Sequence, residues 1–209
     1  MYRPAAYTRD DPAVLHQFIR RRSFATIAAV LNGEIEFAYA PVVLDTDSGP
    51  LGGVRLHFAR ANPLAAIDGT TVRLSFLGPD AYVSPDWYAT KGLVPTWNYV
   101  AVEASGVAQC LDTKDLRELL VNLSAAHEEK LRPKKPWTID KVPEGKLDAL
   151  MNAIVGFVVP FATLEGKFKL SQDKVQEDFD GVVANLEISD GPASRAIAAL
   201  MRANRQKQK

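Results

Sequence analysis

Lys167, Lys169 and Ser171 alternate along the segment Glu165-Gly166-Lys167-Phe168-Lys169-Leu170-Ser171-Gln172. Successive side chains of a β-strand point to opposite faces, so two ammonium groups and a hydroxyl project to one side while Phe168, Leu170 and Gln172 project to the other. Such a row suits a phosphate monoester, which carries roughly two negative charges and several acceptor oxygens. The same spacing also fits a plain strand edge, with lysines set against edge pairing and Ser171 capping a following helix.

A second group is His57-Phe58-Ala59-Arg60-Ala61-Asn62-Pro63, where an imidazole and a guanidinium end a strand before an Asn-Pro turn. The guanidinium offers phosphate a rigid fork of donors, and His57 could orient it or touch ligand. A surface arginine and a satisfied barrel histidine would read the same way. The third group is the pair of segments Ala81 to Tyr88 and Val94 to Tyr99, rich in aromatic rings, hydroxyls and prolines. Large rings in loops are costly to leave in water, so they cover a planar ligand, a dry minicore or a subunit contact.

Other chemistries find little footing. His16, His57 and His127 have no metal-ligand spacing, Cys110 has no second thiol or adjacent base, and His127-Glu128-Glu129 lacks the second histidine of a zinc helix. A lone cysteine fits a reducing cytoplasm. Twenty-five basic residues balance twenty-five acidic ones, so no overall positive field attracts nucleic acid. The basic tail Arg202, Arg205, Lys207 and Lys209 reads as a solvated helix end. No stretch has the length and apolarity of a membrane span, since Ala153 to Leu164 is interrupted by Gly156 and Pro160.

These groups need elements to position them. Asp11-Pro12 opens a helix with Val14, Leu15, Phe18 and Ile19 on one face. Phe24 to Leu31, the Asn32-Gly33 turn and Glu34 to Tyr39 form a hairpin. Strands are predicted over Gly53 to Ala59, Thr70 to Leu77, Ala81 to Ser84 and Trp97 to Cys110, separated by turn-forming clusters. Thr113 to Lys130 reads as a helix through its leucines, and the lysine- and proline-rich stretch after it as a connector. Helices follow from about residue 172, one carrying Val175, Phe179, Val182, Val183 and Leu186, the last running from about Pro192 to Met201. Short strand spacing without a glycine-rich phosphate loop excludes the doubly wound parallel folds. The expected fold is α+β, mainly β: one domain over 1–209, an antiparallel split β-barrel with peripheral helices and a helical C-terminal segment.

In order, MYRPAAY, HFARANP, AYVSPDWY, VPTWNYVAV with Gly106 after it, and EGKFKLSQD resemble the FMN-binding negative transcriptional regulator family, also called PaiB-like. The resemblance runs from Met1 to about Leu186. It implies a split barrel of the pyridoxamine-phosphate-oxidase type, working as a homodimer with FMN held along the shared interface. It further implies that Arg60, Asn62, Lys167, Lys169 and Ser171 contact phosphate and ribityl, with His57, Leu170 and Gln172 beside them. Ser84, Trp87, Tyr88, Thr96, Trp97, Asn98 and Tyr99 are then expected near the ring system. Three positions depart from the family pattern: Tyr39 and Glu103 stand where histidines are common, and Asp173 where asparagine is. The functional expectation is a flavin-binding protein with oxidoreductase chemistry. A regulator that does not itself read DNA and a haem-binding barrel, with His57 as axial ligand, are the alternatives.

Overall fold

The computed structural model describes residues Met1 to Gln206, so Lys207 and Lys209 of the basic tail lie outside the described residues. In chain order the elements are β1 (Thr8–Arg9), α1 (Pro12–Arg21), β2 (Phe24–Leu31), β3 (Glu34–Pro41), β4 (Val43–Asp45), β5 (Gly53–Ala59), β6 (Thr71–Val83), β7 (Thr96–Val107), β8 (Gln109–Cys110), α2 (Thr113–Glu128), α3 (Glu144–Asn152), β9 (Ile154–Pro160), β10 (Thr163–Lys169), α4 (Gln176–Ile188) and α5 (Pro192–Gln206). Antiparallel strands with peripheral helices make this the mainly-β, α+β split-barrel fold. The chain divides into two compact units, one of Met1–Asp11, Leu77–Val102 and Glu165 onward, the other of Pro12–Phe76 and Glu103–Leu164.

The unit beginning at Pro12 is built on the β2–β3 hairpin. Asn32 and Gly33 both take positive φ, 53° and 87°, the conformation that a tight two-residue hairpin turn requires. Register sets Val30 opposite Ile35, Ala28 opposite Phe37 and Thr26 opposite Tyr39. The other face of β2, with Ala25, Ile27 and Ala29, is buried beside Val72, Leu74 and Phe76. Burying a side chain such as Ile27 contributes about 1.5–3 kcal/mol. A four-stranded sheet in the order β4-β5-β9-β8 lies in the same unit. Leu116 and Leu119 of α2 cluster with Ile139, Leu147 and Met151.

The other unit carries β1, β10 and the facing ends of β7 and β6, in that order. Its helices α4 and α5 bury Phe179, Val182, Val183, Leu186, Ile197 and Met201, one apolar stripe from each helix. Asp178, also buried, accepts the Thr90 N–H at 2.9 Å and so fixes the 84–93 loop to α4.

Several sequence expectations are corrected. Thr70 to Leu77 and Ala81 to Ser84 are one strand, β6, running through Gly78-Pro79-Asp80. Pairing with β2 ends at Ser75, so Pro79 removes no bond from that ladder. Trp97 to Cys110 is two strands, because Ala108 leaves the ladder to exchange backbone bonds with Gly69 and Thr70 at 2.9 and 3.0 Å. The proline-rich connector gives way to α3 sooner than its composition suggests. Ser171 caps no helix: α4 starts at Gln176, with Val175 at its cap position and 60% exposed.

Candidate functional site

β10 ends at Lys169 and β7 begins at Thr96, and a cavity of about 170 Å³ lies at these strand ends. Its lining includes Tyr7, Tyr88, Thr96, Asn98, Lys169, Ser171, Asp173 and Lys174, with Leu93, Val94 and Pro95 on the loop side. The end of β10 is shaped by a turn that few sequences accept. Ser171 has φ of 58°, in the left-handed region that disfavours non-glycine residues. Its hydroxyl is held by the fully buried Asn98, whose Nδ2 donates to Ser171 Oγ at 2.9 Å. Gln172 closes the turn, its Oε1 accepting the Leu170 N–H at 2.6 Å and its Nε2 donating to the Phe168 carbonyl. Leu170 is buried core.

The charges in the cavity are partly paired among themselves. Asp173 and Lys174 form an ion pair at 2.5 Å, and the Tyr7 hydroxyl donates to the same carboxylate. Burial pushes Asp173 up, but the hydrogen bonds and charge of Lys174, with Tyr7, outweigh it and hold the carboxyl below its ordinary value. Burial and Asp173 push the Tyr7 phenol up to about 12. Lys169 donates to Thr96 Oγ1, and burial lowers its pKa, opposed in part by Asp173. Tyr88 is 5% exposed, and its buried hydroxyl has no hydrogen-bond partner among the described residues.

The two lysines diverge although they leave the same side of β10. Lys169 lines the cavity, while Lys167 Nζ lies 5.5 Å from the Tyr2 ring centroid and 5.2 Å from that of Tyr99. Trp97 and Tyr82 meet edge to face with centroids 6.0 Å apart, and both are exposed. Ser84 caps a short helical turn through the Asp86 N–H at 3.3 Å, and Trp87 ends that turn.

In the other unit, His57, Arg60 and Asn62 have local roles. Arg60 donates to the backbone carbonyls of Asn152 and Ile154 at 3.0 and 3.1 Å. Asn62 Oδ1 accepts the Leu64 N–H at 2.9 Å, capping a short helical turn. His57 lies on β5 with Nδ1 buried and without a hydrogen-bond partner among the described residues, and burial lowers its pKa. Two of the departing positions are also here: Tyr39 is exposed on β3, and Glu103 accepts from Arg73 at 3.1 Å.

Sequence reasoning missed Tyr7 and Lys174 as cavity residues. Their signal was weak, because the alternation that singled out Lys169 stops with the strand, and the turn at Ser171 brings the next charges back toward it. A phosphate monoester fits the donor set: one lysine not committed to a carboxylate, a second lysine sharing one, and an orphaned buried hydroxyl. The volume falls below the roughly 300–1,000 Å³ of a site that encloses a small molecule, so the cavity by itself is too small to enclose a whole flavin.

The chain is 29% identical over the full length of both proteins to the protease synthase and sporulation protein PAI 2 of Bacillus subtilis (strain 168). Among solved structures, the FAD and haem binding protein from Mycobacterium smegmatis superposes with a TM-score of 0.61, at 15% identity, over 83% of this chain and 79% of that one. The flavocytochrome Anf3 from Azotobacter vinelandii gives 0.59 at 18% identity, over 86% and 78%. At those identities the two structures bear on the fold alone. Residues 1–162 match the sequence profile of the family described as "Putative FMN-binding domain", and the chain belongs to that family of FMN-binding proteins.

Proposed function

We propose that this protein holds FMN with its phosphate in the cavity at the end of β10, and that two copies of the chain complete the site. The observation that carries the reading is the cavity's lining, which brings Lys169 and Tyr88 to the same small space, the Tyr88 hydroxyl being buried with no partner among the described residues. Lys169, Thr96, Asn98 and Ser171 hold the phosphate and its neighbouring ribityl. Trp97 and Tyr99 flank the ring system, with Lys167 beside them. When bound, FMN supplies reversible acceptance of a hydride or of electrons, and the protein's part is to bind, orient and tune it.

The second copy is supported by an apolar sheet face. Phe24, Val30, Ile35, Phe37 and Tyr39 project from the same side of the β2–β3 hairpin, each at least 59% exposed. A contiguous exposed patch of this kind marks a protein contact, and a self-complementary patch makes a two-fold dimer. The apolar face and the undersized cavity both favour a site that one chain leaves incomplete.

Lys169→Ala tests the phosphate assignment. A charge-assisted hydrogen bond contributes roughly 1.5–3 kcal/mol, so FMN affinity should fall by about ten-fold to more than a hundred-fold. Riboflavin, which has no phosphate, should bind weakly and be indifferent to the substitution. Equal affinities for FMN and riboflavin in the parent protein would sink the reading.

The full-length likeness to PAI 2 favours a second reading, a regulator whose flavin site reports on redox or flavin supply. The balanced net charge supports action without direct reading of duplex DNA. A mobility shift at near-physiological salt that survives excess competitor DNA would overturn that part. The single, exposed Cys110 supports a cytoplasmic setting, and no described helix is long and apolar enough to cross a membrane. An absorbance spectrum of freshly purified protein separates flavin bands from the Soret band of the haem alternative.

A further inference from the structure

Among the described residues, three buried side-chain polar atoms lack a hydrogen-bond partner: Arg55 Nη1, His57 Nδ1 and the Tyr88 hydroxyl. Arg55 Nη1 still faces Glu118 Oε1 at 3.6 Å, and neither Arg55 nor His57 lines a described cavity. Tyr88 does. A hydroxyl that has left water without gaining a partner is unfavourable, and natural structures leave few such groups unexplained. The neighbouring groups are already engaged: Tyr7 with Asp173, Lys174 with Asp173, Asn98 with Ser171. Lys169 spends a single donor on Thr96 and has others to give.

We propose that the Tyr88 hydroxyl and Lys169 Nζ are paired donors to one anionic oxygen group, the terminal phosphate of FMN, so that Tyr88 helps the protein distinguish the phosphorylated flavin from riboflavin. The inference rests on the phosphate reading above and adds a discriminating residue to it. A phosphate presents separate oxygens to a neutral and a charged donor at once, which a ring carbonyl cannot do. The phenol keeps its proton at neutral pH, because burial raises its pKa foremost, and so it acts as a donor. Lys174 is committed to Asp173, which leaves the cavity one uncompensated cation and makes a neutral donor valuable.

The test is flavin titration by fluorescence quenching with the parent protein, Tyr88→Phe and Lys169→Ala, using FMN and riboflavin as probes. Tyr88→Phe should weaken FMN about ten-fold, leave riboflavin unchanged and leave Tm unchanged or raised, because it removes an orphaned hydroxyl at nearly constant volume. Tyr88→Phe that binds FMN as the parent does, or that loses FMN and riboflavin equally, overturns the inference. If Lys169→Ala weakens FMN and Tyr88→Phe does not, this inference falls and the phosphate site stands. If neither substitution acts and the two flavins bind alike, the phosphate site itself falls. Inorganic phosphate supplies a control that needs no variant. Competition with FMN but not with riboflavin supports the clamp, and equal competition with both overturns it.

Discussion

Asp173 sits among lysines at a place where a carboxylate opposes the binding of an anion. Its charge is contained locally by Lys174 at 2.5 Å and by the Tyr7 hydroxyl, which is how a carboxylate can line this cavity without closing it to phosphate. Asp173→Asn removes the negative charge and frees Lys174. Partial solvent screening limits the gain to about 0.5–1.5 kcal/mol, so FMN should bind roughly two- to ten-fold tighter while riboflavin stays the same. The Tyr7 phenol should also titrate below its present value of about 12, which ultraviolet difference spectra would follow. No gain in FMN affinity would place Asp173 outside the electrostatic reach of the ligand.

Helix α4 shows how a local rule and its context can have opposite signs. Taken alone, Gly181 weakens the helix by about 1 kcal/mol relative to alanine. A β-carbon at that position, however, would lie 2.2 Å from the Trp87 carbonyl oxygen, and backbone cannot move aside cheaply. Gly181→Ala should therefore lower stability, by roughly 1–3 kcal/mol, with a clear fall in Tm. The same junction carries an acid-sensitive tie. The Thr90 N–H, foremost, holds the Asp178 carboxyl below its ordinary 3.8, so folding favours the ionised form. Its stabilisation is complete above pH 3.8 and is lost as pH falls through the lower folded value. Asp178→Asn should make acid unfolding less steep in that window, measured by circular dichroism against pH. These elements also mark how far sequence reading reached. The β2–β3 hairpin, α1, β5 and the Lys169 strand were legible because alternation and turn residues are local signals. The continuity of β6, the break at Ala108 and the left-handed Ser171 were not, because each depends on a partner far along the chain.

At the scale of the whole molecule, the exposed row on β2–β3 is where the proposed two-copy contact is tested. Phe37 stands mid-row and is 59% exposed, so Phe37→Asp adds a charge to the proposed contact without opening the core. We expect the parent to run as a dimer and Phe37→Asp as a monomer in light scattering at micromolar concentration, with FMN affinity reduced as well. A monomeric parent would remove both the dimer and the shared site. The interleaved chain path also orders events in time. Asn98 waits for Ser171, its partner 73 residues later, before the floor of the cavity can close. At about 5–20 residues per second, synthesis leaves the β7 edge without that partner for several seconds or more. Pairing so distant in sequence is also slow to form. A ligand of this cavity therefore finds no closed floor on the growing chain until the turn at Ser171 has been made and has reached Asn98.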